Sequence, residues 1–303
     1  MSGKHYIGID IGGSKIAIGL FGKDPGMLGK VVLPTCATEP FGHAFARMVP
    51  AIDRLCTGHG LGGKPDGIGI GCTGPVDVRR GLVRNPYTLP GWPDAPLVEA
   101  FASRYGCPVR LENDADTALI GELVSREECR KVKNALMLTF GTGVGSAVLR
   151  SGAILRGEDF SHPELGHLLV SEAVSSCYCG GSGCLESLAS GPALHEAARE
   201  LGFASLDEVF TRPSGEARSR LVGAWALHVT RALWALVATL SPEVVLFGGG
   251  VADCLYPHAK DIITQGLSSG VFLPPTRVKK AMHGNDAGMV GAAALVSGLF
   301  PFS

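Results

Sequence analysis

The chain has almost no net charge and a low share of charged residues. Its 27 lysines and arginines nearly balance its 28 aspartates and glutamates, which leaves a formal net charge of −1 over 303 residues. Without a positive excess there is no electrostatic reason to expect binding to nucleic acid or to an anionic membrane. With 18% charged and 46% hydrophobic residues, the composition is typical of a packed globular protein.

Apolar segments suited to export or membrane insertion are also lacking or interrupted. Lys4 and Asp10 break up the N-terminal region, so it has no continuous apolar stretch like that of a secretory signal peptide, and we expect a cytoplasmic protein. Residues 221–240 are mostly apolar, but Arg231 near their centre would cost roughly 2.5–3.5 kcal/mol in a bilayer. These residues are therefore predicted to form a buried core helix rather than a membrane span.

Glycine and cysteine, by contrast, are plentiful. The 43 glycines follow no G-x-y period, which predicts many tight turns and close backbone contacts. Nine cysteines in a chain without an export signal favour free thiols or a metal site over disulfides. Because 303 residues exceed the comfortable size of a single hydrophobic core, two domains are expected.

Two glycine-rich turns each follow an apolar run that predicts a buried strand. The turns contain, in chain order, Gly12, Gly13, Ser14 and Lys15, and then Gly141, Thr142, Gly143, Val144 and Gly145. Glycines let backbone N–H groups approach an anion without interference from a Cβ atom. One such turn is a weak signal, but two with the same flanking pattern predict a duplicated phosphate-binding element.

The polar residues beside the first turn allow two interpretations. Asp10, at the end of the first strand, is either a carboxylate that holds Mg²⁺ or its water beside the phosphates, or a residue that caps the turn. Lys15 is either a phosphate ligand or a solvated surface lysine.

A second acidic segment follows the strand predicted at residues 109–111. Asp114 stands where this strand passes into a helix, so it is a candidate general base toward a hydroxyl that Asn113 would orient. The alternative is that Asn113 and Asp114 only cap the helix N-terminus. Asp116 adds a nearby charge, which would raise the pKa of Asp114 if both point into the same cleft.

A cysteine cluster gives the most specific chemical signal. Cys177, Cys179 and Cys184 lie within eight residues of glycine-rich chain, and His167 lies ten residues upstream of the first cysteine. Three thiolates and one imidazole form a closed tetrahedral zinc site of the structural kind. Zinc is therefore predicted here, and free thiols are the alternative.

The second half of the chain adds a third glycine motif. A buried strand predicted at residues 244–247 ends in Gly248, Gly249 and Gly250, which suits close approach of a flat ligand such as adenine. A long helix is predicted at residues 216–240, and a glycine- and alanine-rich helix at residues 285–299.

The order of these elements resembles the ROK family of sugar kinases, within the actin/hexokinase/Hsp70 phosphotransferase fold, over essentially the whole chain. The matching segments are Asp10 to Lys15 and Gly141 to Gly145 as phosphate motifs, Gly248 to Val251 as adenosine motif, Glu112 to Ala115 with the catalytic Asp114, Glu164 to His167, and Cys177 to Glu186. The resemblance implies an α/β, two-domain actin/hexokinase-like (ribonuclease H-like) fold with a structural zinc knuckle. It implies a small domain of residues 1–115 plus 288–303, a large domain of residues 116–287, and a homodimer.

The implied activity is ATP-dependent phosphorylation of the 6-hydroxyl of a hexose. Asp114 would take the proton of that hydroxyl as its oxygen attacks the γ-phosphorus of MgATP. The resemblance implies that sugar is bound by Gly74, Asn113, Glu164, His167 and Glu186, and that nucleotide is bound by Asp10, Gly12, Gly13, Ser14, Lys15, Gly141, Thr142, Gly143, Gly248, Gly249 and Gly250. His167 would also join the three cysteines on zinc, with its other ring nitrogen donating to the sugar.

Three departures from the family pattern affect these expectations. Asp116 stands where Asn is common, and Ser146 and Ala147 replace glycines, which predicts a less permissive second phosphate loop. Residues 162–164 resemble the fructokinase branch, whereas the cysteine knuckle resembles the glucokinase and N-acetylhexosamine branches. Glucose is expected first, then N-acetylmannosamine or N-acetylglucosamine, then fructose or mannose. An alternative of another class is a non-catalytic sugar-sensing regulator.

Overall fold

A computed structural model of the chain describes residues 3–23, 26–60, 64–158, 161–172, 176–211, 215–270 and 272–300. The sequence also predicts a turn at Lys23, Asp24, Pro25 and Gly26, of which Asp24 and Pro25 lie outside these residues. Within them the strands are β1 Tyr6–Ile11, β2 Lys15–Phe21, β3 Met27–Pro34, β4 Gly67–Cys72, β5 Val76–Asp77, β6 Leu82–Val83, β7 Val109–Asn113, β8 Ala135–Phe140, β9 Val144–Arg150, β10 Ala153–Ile154, β11 Val244–Gly248 and β12 Arg277–Lys280.

Helices connect most of these strands. They are α1 Phe41–Gly58, α2 Leu97–Tyr105, α3 Asp114–Ser125, α4 Leu185–Ala189, α5 Gly191–Glu200, α6 Leu206–Thr211, α7 Glu216–Leu240, α8 Gly250–Ser268 and α9 Ala287–Ser297. A short 3-10 helix, Leu165–His167, carries the predicted zinc-ligating histidine. The α/β character expected from the sequence is therefore present.

The chain divides into two compact units. The first comprises Met1–Val132, Gly152–His162 and Asn285–Ser303, and the second comprises Lys133–Ser151 and Pro163–Gly284. These bounds differ from the predicted ones, because helix α3 belongs to the first unit, where it packs closely on α9. The first unit, expected to be the smaller, is thereby the longer of the two.

The sheets of the two units repeat one pattern of strands. In the first unit the order is β3-β2-β1-β4-β7, with β1 antiparallel to β2 and parallel to β4, and β4 parallel to β7. In the second unit β9-β8-β11-β12 follow one another in the sheet, with β8 antiparallel to β9 and parallel to β11, and β11 parallel to β12. The carboxyl ends of the parallel strands therefore meet at one edge of each sheet, where ligands bind in open α/β sheets.

Helix α9 packs on the first sheet with almost no side chain between them. A Cβ atom built on Gly69 of β4 would lie 1.6 Å from the carbonyl oxygen of Ala292, so only glycine permits this approach. The same helix approaches α3, where a Cβ on Gly291 would lie 1.7 Å from the carbonyl oxygen of Thr117. This packing fixes α3, and with it the start of that helix, against the sheet.

Helix α7 has the length and apolar composition that a membrane span requires, and half of its most apolar window is buried inside the protein. Its Trp225 is fully buried, donates its indole N–H to the carbonyl oxygen of Ala189 at 3.3 Å, and lies edge-on to Phe140 of β8. These contacts are those of a core helix, which is the role the sequence predicted for it.

Candidate active site and candidate metal centre

The first glycine-rich turn joins β1 to β2 in the first unit. Gly12 donates its N–H to the carbonyl oxygen of Lys15 at 3.0 Å and accepts a hydrogen bond from the hydroxyl of Thr35 at 2.7 Å. Gly13 lies against Thr88, since a Cβ built on it would approach the methyl carbon of that residue to 2.5 Å. The turn is thus held in one conformation by backbone bonds and by a neighbouring loop.

Asp10, at the end of β1, faces the first turn of α9. A Cβ built on Gly288 would lie 2.7 Å from the carboxyl carbon of Asp10. Burial and the nearby charge of Asp114 raise the pKa of Asp10 to about 7, while Lys15 opposes the rise. A desolvated carboxyl group with a second acidic group nearby is an arrangement that a divalent cation stabilises, because its charge offsets the negative charge.

The start of α3 shows which of the two residues, Asn113 or Asp114, caps the helix. Asn113 is the N-cap, and its side-chain oxygen accepts N–H bonds from Ala115 at 2.9 Å and from Asp116 at 3.4 Å. Asp114 is the first residue of the helix, and its own carboxylate accepts the N–H of Ala115 at 2.8 Å. Capping is therefore performed by Asn113, which holds Asp114 in place at the end of β7.

Gly74 lies beside this helix start. A Cβ built on Gly74 would lie 2.8 Å from the amide nitrogen of Asn113 and 3.2 Å from a ring carbon of His162. Asn85 fixes the Gly74 loop, because its amide nitrogen donates to the carbonyl oxygen of Gly74 and its oxygen accepts the N–H of Thr88 at 2.8 Å. The roles of Asn85 and His162 were not predicted, since both depend on contacts across distant parts of the sequence.

Asp116 does not share the surroundings of Asp114. Its side chain is 1% exposed, and burial, followed by the charge of Glu112, raises its pKa well above the usual range. Glu112 is also buried, but it pairs with Arg156 and accepts the N–H of Asn113 at 3.0 Å. Asp116 is therefore a buried acid, and the charge of Asp114 is among the causes that raise its pKa.

The second glycine-rich turn joins β8 to β9 in the second unit. Gly141 donates its N–H to the carbonyl oxygen of Gly143 at 2.9 Å and accepts the N–H of Gly191, the first residue of α5, at 2.7 Å. Ser146 and Ala147 are buried residues of β9 that directly follow the turn, and their effect on how permissive the turn is stays a prediction. The hydroxyl of Ser146 instead donates to the carbonyl oxygen of Pro163 at 2.5 Å.

The third glycine motif runs from the end of β11 into α8. Gly248 ends the strand, Gly249 is the N-cap and Gly250 begins the helix. Gly249 has a φ of +87°, and a Cβ on it would lie 2.2 Å from the carbonyl oxygen of Phe140, so this position requires glycine.

A cavity of about 650 Å³ in the second unit brings this motif and the second turn together. It is lined by Gly141, Thr142, Gly191, Pro192, His195, Arg199, Leu206, Asp207, Gly250, Val251 and Cys254. The N-termini of α5 and α8 both contribute residues, and helix N-termini favour anionic groups. His195 and Arg199 were not predicted, although their spacing of four residues places them on one face of α5.

The predicted sugar-binding residues of the second unit lie around an exposed tyrosine. The carboxylate of Glu186 accepts the N–H of Val144 at 2.8 Å, which ties it to the second turn. The Tyr178 hydroxyl lies 3.2 Å from Nε2 of His167, and desolvation of this hydroxyl and the carboxylates of Glu186 and Glu164 raise the pKa of Tyr178 to about 12. Tyr178 therefore contacts the ring nitrogen that was expected to face the sugar, and that sugar contact stays a prediction.

The cysteine cluster and His167 form a compact donor set. One ligand atom from each of His167, Cys177, Cys179 and Cys184 lies within 4.8 Å of all the others. The sulfurs of Cys179 and Cys184 are 3.6 Å apart, and Cys177 Sγ is 3.5 Å from Nδ1 of His167. Thiolates bound tetrahedrally at about 2.3 Å from zinc are about 3.8 Å from one another, so the spacing fits this metal.

The three thiols are close enough to shift one another's pKa. Burial and the other two thiols raise the pKa of Cys184 to about 12, whereas the backbone N–H of Gly181 lowers the pKa of Cys179. Three thiolates at this distance repel one another unless a cation lies between them. The donor set therefore fits zinc both in geometry and in charge.

Comparison with known proteins places the chain in a family. Residues 6–298 match the model of the ROK family. The chain belongs to the ROK family. A glucokinase of Streptomyces coelicolor is 32% identical over 95% of this chain and 96% of its own length. An N-acetylmannosamine kinase of Yersinia pestis is 29% identical over 95% of this chain and 96% of its own length.

A solved structure gives the same result. The crystal structure of a ROK family glucokinase from Streptomyces griseus, in complex with glucose and AMPPNP, matches with a TM-score of 0.73 and 28% identity. The match covers 96% of this chain and 99% of that chain. The family predicted from the sequence motifs is thereby confirmed.

Proposed function

We propose that the protein is an ATP-dependent hexose kinase that phosphorylates the 6-hydroxyl of its sugar. The observation that carries this proposal is the start of α3, where Asn113 caps the helix and Asp114 occupies its first position. A carboxylate that is held by the backbone but is not needed as the cap is suited to accept a proton from a bound hydroxyl.

In the proposed reaction Asp114 takes the proton of the sugar hydroxyl as the hydroxyl oxygen attacks the γ-phosphorus of ATP. The bond from that phosphorus to the β,γ-bridging oxygen breaks, and ADP leaves. Most of the catalysis is positioning, since phosphoryl transfer needs little covalent chemistry from the protein. As the family resemblance implies, Gly74, Asn113, Glu164, His167 and Glu186 are proposed to bind the sugar.

The second unit supports ATP binding. Its 650 Å³ cavity joins the second glycine turn to the N-terminus of α8, so anionic and flat parts of a nucleotide have suitable surfaces in one place. The proposed nucleotide-binding residues of the first unit are Asp10, Gly12, Gly13, Ser14 and Lys15. Asp10 would hold Mg²⁺ or its water, and the metal would neutralise charge on the phosphates.

Zinc is proposed at His167, Cys177, Cys179 and Cys184 in a structural role. When bound, it would fix the ring of His167 and the start of α4, which carries Glu186. A metal that orients two proposed sugar ligands affects activity without contacting the phosphates.

Glucose is the proposed first substrate, because the glucokinases of both Streptomyces species are similar to this chain over nearly its whole length. N-acetylmannosamine is the second candidate, since a kinase named for that sugar is 29% identical. We also propose a homodimer in the cytoplasm, and light scattering on the purified protein would measure the assembly.

A coupled assay of ADP release over a panel of hexoses and N-acetylhexosamines tests the proposal. Turnover is expected with at least one of them, with glucose giving the highest kcat/KM. No turnover with any sugar of the panel would contradict it. Sugar-dependent thermal stabilisation without turnover would favour a sugar-sensing regulator instead.

A further inference from the structure

The end of β7 and the first turn of α3 carry two buried carboxyl groups with very different hydrogen bonding. Glu112 is 2% exposed and has two partners, the guanidinium of Arg156 and the backbone N–H of Asn113. Asp116 is 1% exposed, and neither of its carboxyl oxygens has a hydrogen-bond partner among the residues that the structure describes. The environment therefore supplies donors to one carboxylate and none to the other.

An ionised carboxylate without donors is unfavourable in a buried site, because nothing replaces the water it has lost. Of two neighbouring buried carboxyl groups, the one with a cation and an N–H donor keeps the negative charge, and the other keeps the proton. This argument assigns the charge to Glu112 and the proton to Asp116.

We propose that Asp116 is a positioning residue that works as a neutral carboxylic acid and so keeps an additional negative charge away from Asp114. Its backbone N–H donates to the side chain of Asn113, which caps the helix that begins at Asp114. Ionisation of Asp116 would place a charge two residues from Asp114 and would draw on Arg156, the partner of Glu112. The role in catalysis rests on the proposed function of Asp114, whereas the protonation state does not.

The charged groups that face Asp116 come from three segments. Glu112 on β7 and Asp114 on α3 raise its pKa, and Arg156 and His162, in the segment after β10, lower it. Burial is the largest cause and outweighs the opposing effects of Arg156 and His162, so the net direction is upward. The lack of hydrogen-bond donors among the described residues and the upward shift of the pKa both favour a protonated Asp116 carboxyl group.

The sign of the effect on stability follows from this direction. In the unfolded chain Asp116 ionises near the ordinary value of 3.8, whereas the folded protein keeps the proton to a much higher pH. The stabilising contribution of the Asp116 proton is complete below the pKa that this group has in the unfolded chain. It is lost as the pH rises through the pKa of the group in the folded protein. Over that interval, unfolding of the wild type releases one proton that D116N does not have.

The test compares the wild type with D116N and with the control D261N, which changes an exposed aspartate of α8. The pH dependence of denaturant unfolding counts the protons released. We expect D116N to release one proton fewer on unfolding than the wild type. For each pH unit of increase within the interval, the ratio of unfolded to folded protein should therefore rise about tenfold more in the wild type than in D116N. D261N should follow the wild type. An equal proton count in all three proteins would overturn the proposal.

A second measurement does not depend on the folding of a variant. With ¹³C at the carboxyl carbon of aspartate, the wild-type protein at pH 8 should show one aspartate signal at the position of the neutral acid. Absence of this signal would overturn the proposal. Persistence of the signal in a folded D116N protein would also overturn it, because the proton would then belong to another residue.

The activity profile tests the positioning role. The kcat/KM of the wild type should fall at alkaline pH as Asp116 ionises, and this fall should be missing in D116N. An identical alkaline fall in both proteins would overturn the positioning role. If the wild type turns over no sugar, the proposed function fails, while the proton count and the carbon signal still decide the state of Asp116.

Discussion

The two units repeat one strand pattern but place different chemistry at their strand ends. In the first unit, Asp10 is the last residue but one of β1 and Asp114 directly follows β7, so carboxyl groups lie beside the first glycine turn and at the start of α3. In the second unit, β8 and β11 end in Phe140 and Gly248, so backbone and glycine lie where the first unit has charge.

This difference shows how a repeated architecture divides its work. In the proposed reaction the repeated turns bind phosphate, whereas proton transfer depends on Asp114 at the start of α3 in the first unit. The second unit adds the Cys/His cluster and the cavity at the N-termini of α5 and α8. The account therefore assigns proton transfer to the first unit and gives substrate-binding residues to both.

The largest effect on turnover is expected for D114N. If this variant kept wild-type turnover, proton transfer could not be assigned to Asp114 of the first unit. Removing the base while keeping the shape should lower kcat by about a thousandfold, within the range that general-base catalysis contributes. Sugar binding measured by calorimetry should persist. The D261N control should keep wild-type turnover, and a D114N protein with most of its activity would exclude Asp114 as the base.

The Cys/His cluster gives the second largest effect, confined to the second unit. C184S should reduce bound zinc to less than half an equivalent in protein purified without chelator, and it should lower the melting temperature, because metal binding and folding are coupled. Chelator should destabilise the wild type and the control C107S, whose thiol lies outside the cluster, but not C184S. A wild type without zinc would contradict the site.

Gly249 tests the glycine motif of the second unit. G249A should lose about 1–3 kcal/mol of unfolding free energy, since alanine is strained at a φ of +87° and its methyl would meet the carbonyl of Phe140. The matched control is G223A in α7, where nothing lies within 4 Å of the added carbon and helix propensity favours alanine by about 1 kcal/mol. Equal stabilities of the two variants would argue against the required backbone conformation.

Ser146 gives the smallest effect. Its hydroxyl donates to Pro163 and accepts the N–H of Leu165 at 3.1 Å, so S146A should cost about 1–2 kcal/mol by leaving these groups without a partner. Chemical unfolding measures the change, with S219A near the exposed start of α7 as a control expected to cost less than about 0.5 kcal/mol. A larger effect on kcat than on stability would mean that Ser146 belongs to the phosphate turn after all.

Local sequence patterns predicted the features that local physics determines. The apolar runs of β4 and β11, the long helix α7 and the glycine turns could be predicted because periodicity and backbone freedom are properties of short segments. The Cys/His cluster was predicted from ligand type and spacing. The family followed from the order of these motifs.

Contacts between distant segments could not be predicted in the same way. The membership of α3 in the first unit depends on its packing against α9, and the place of Ser146 depends on where β9 begins. The burial of Asp116 and the contact of Tyr178 with His167 likewise require the folded chain. The sequence supplied the residue types at the site, but folding decided which of them meet.

The most direct test of the central claim follows phosphorus itself. When the protein is mixed with MgATP and glucose, ³¹P NMR should show the γ-phosphoryl group appear as a sugar 6-phosphate ester in the wild type and remain on ATP in D114N. Formation of inorganic phosphate without a sugar ester, or equal ester formation by D114N, would contradict the account.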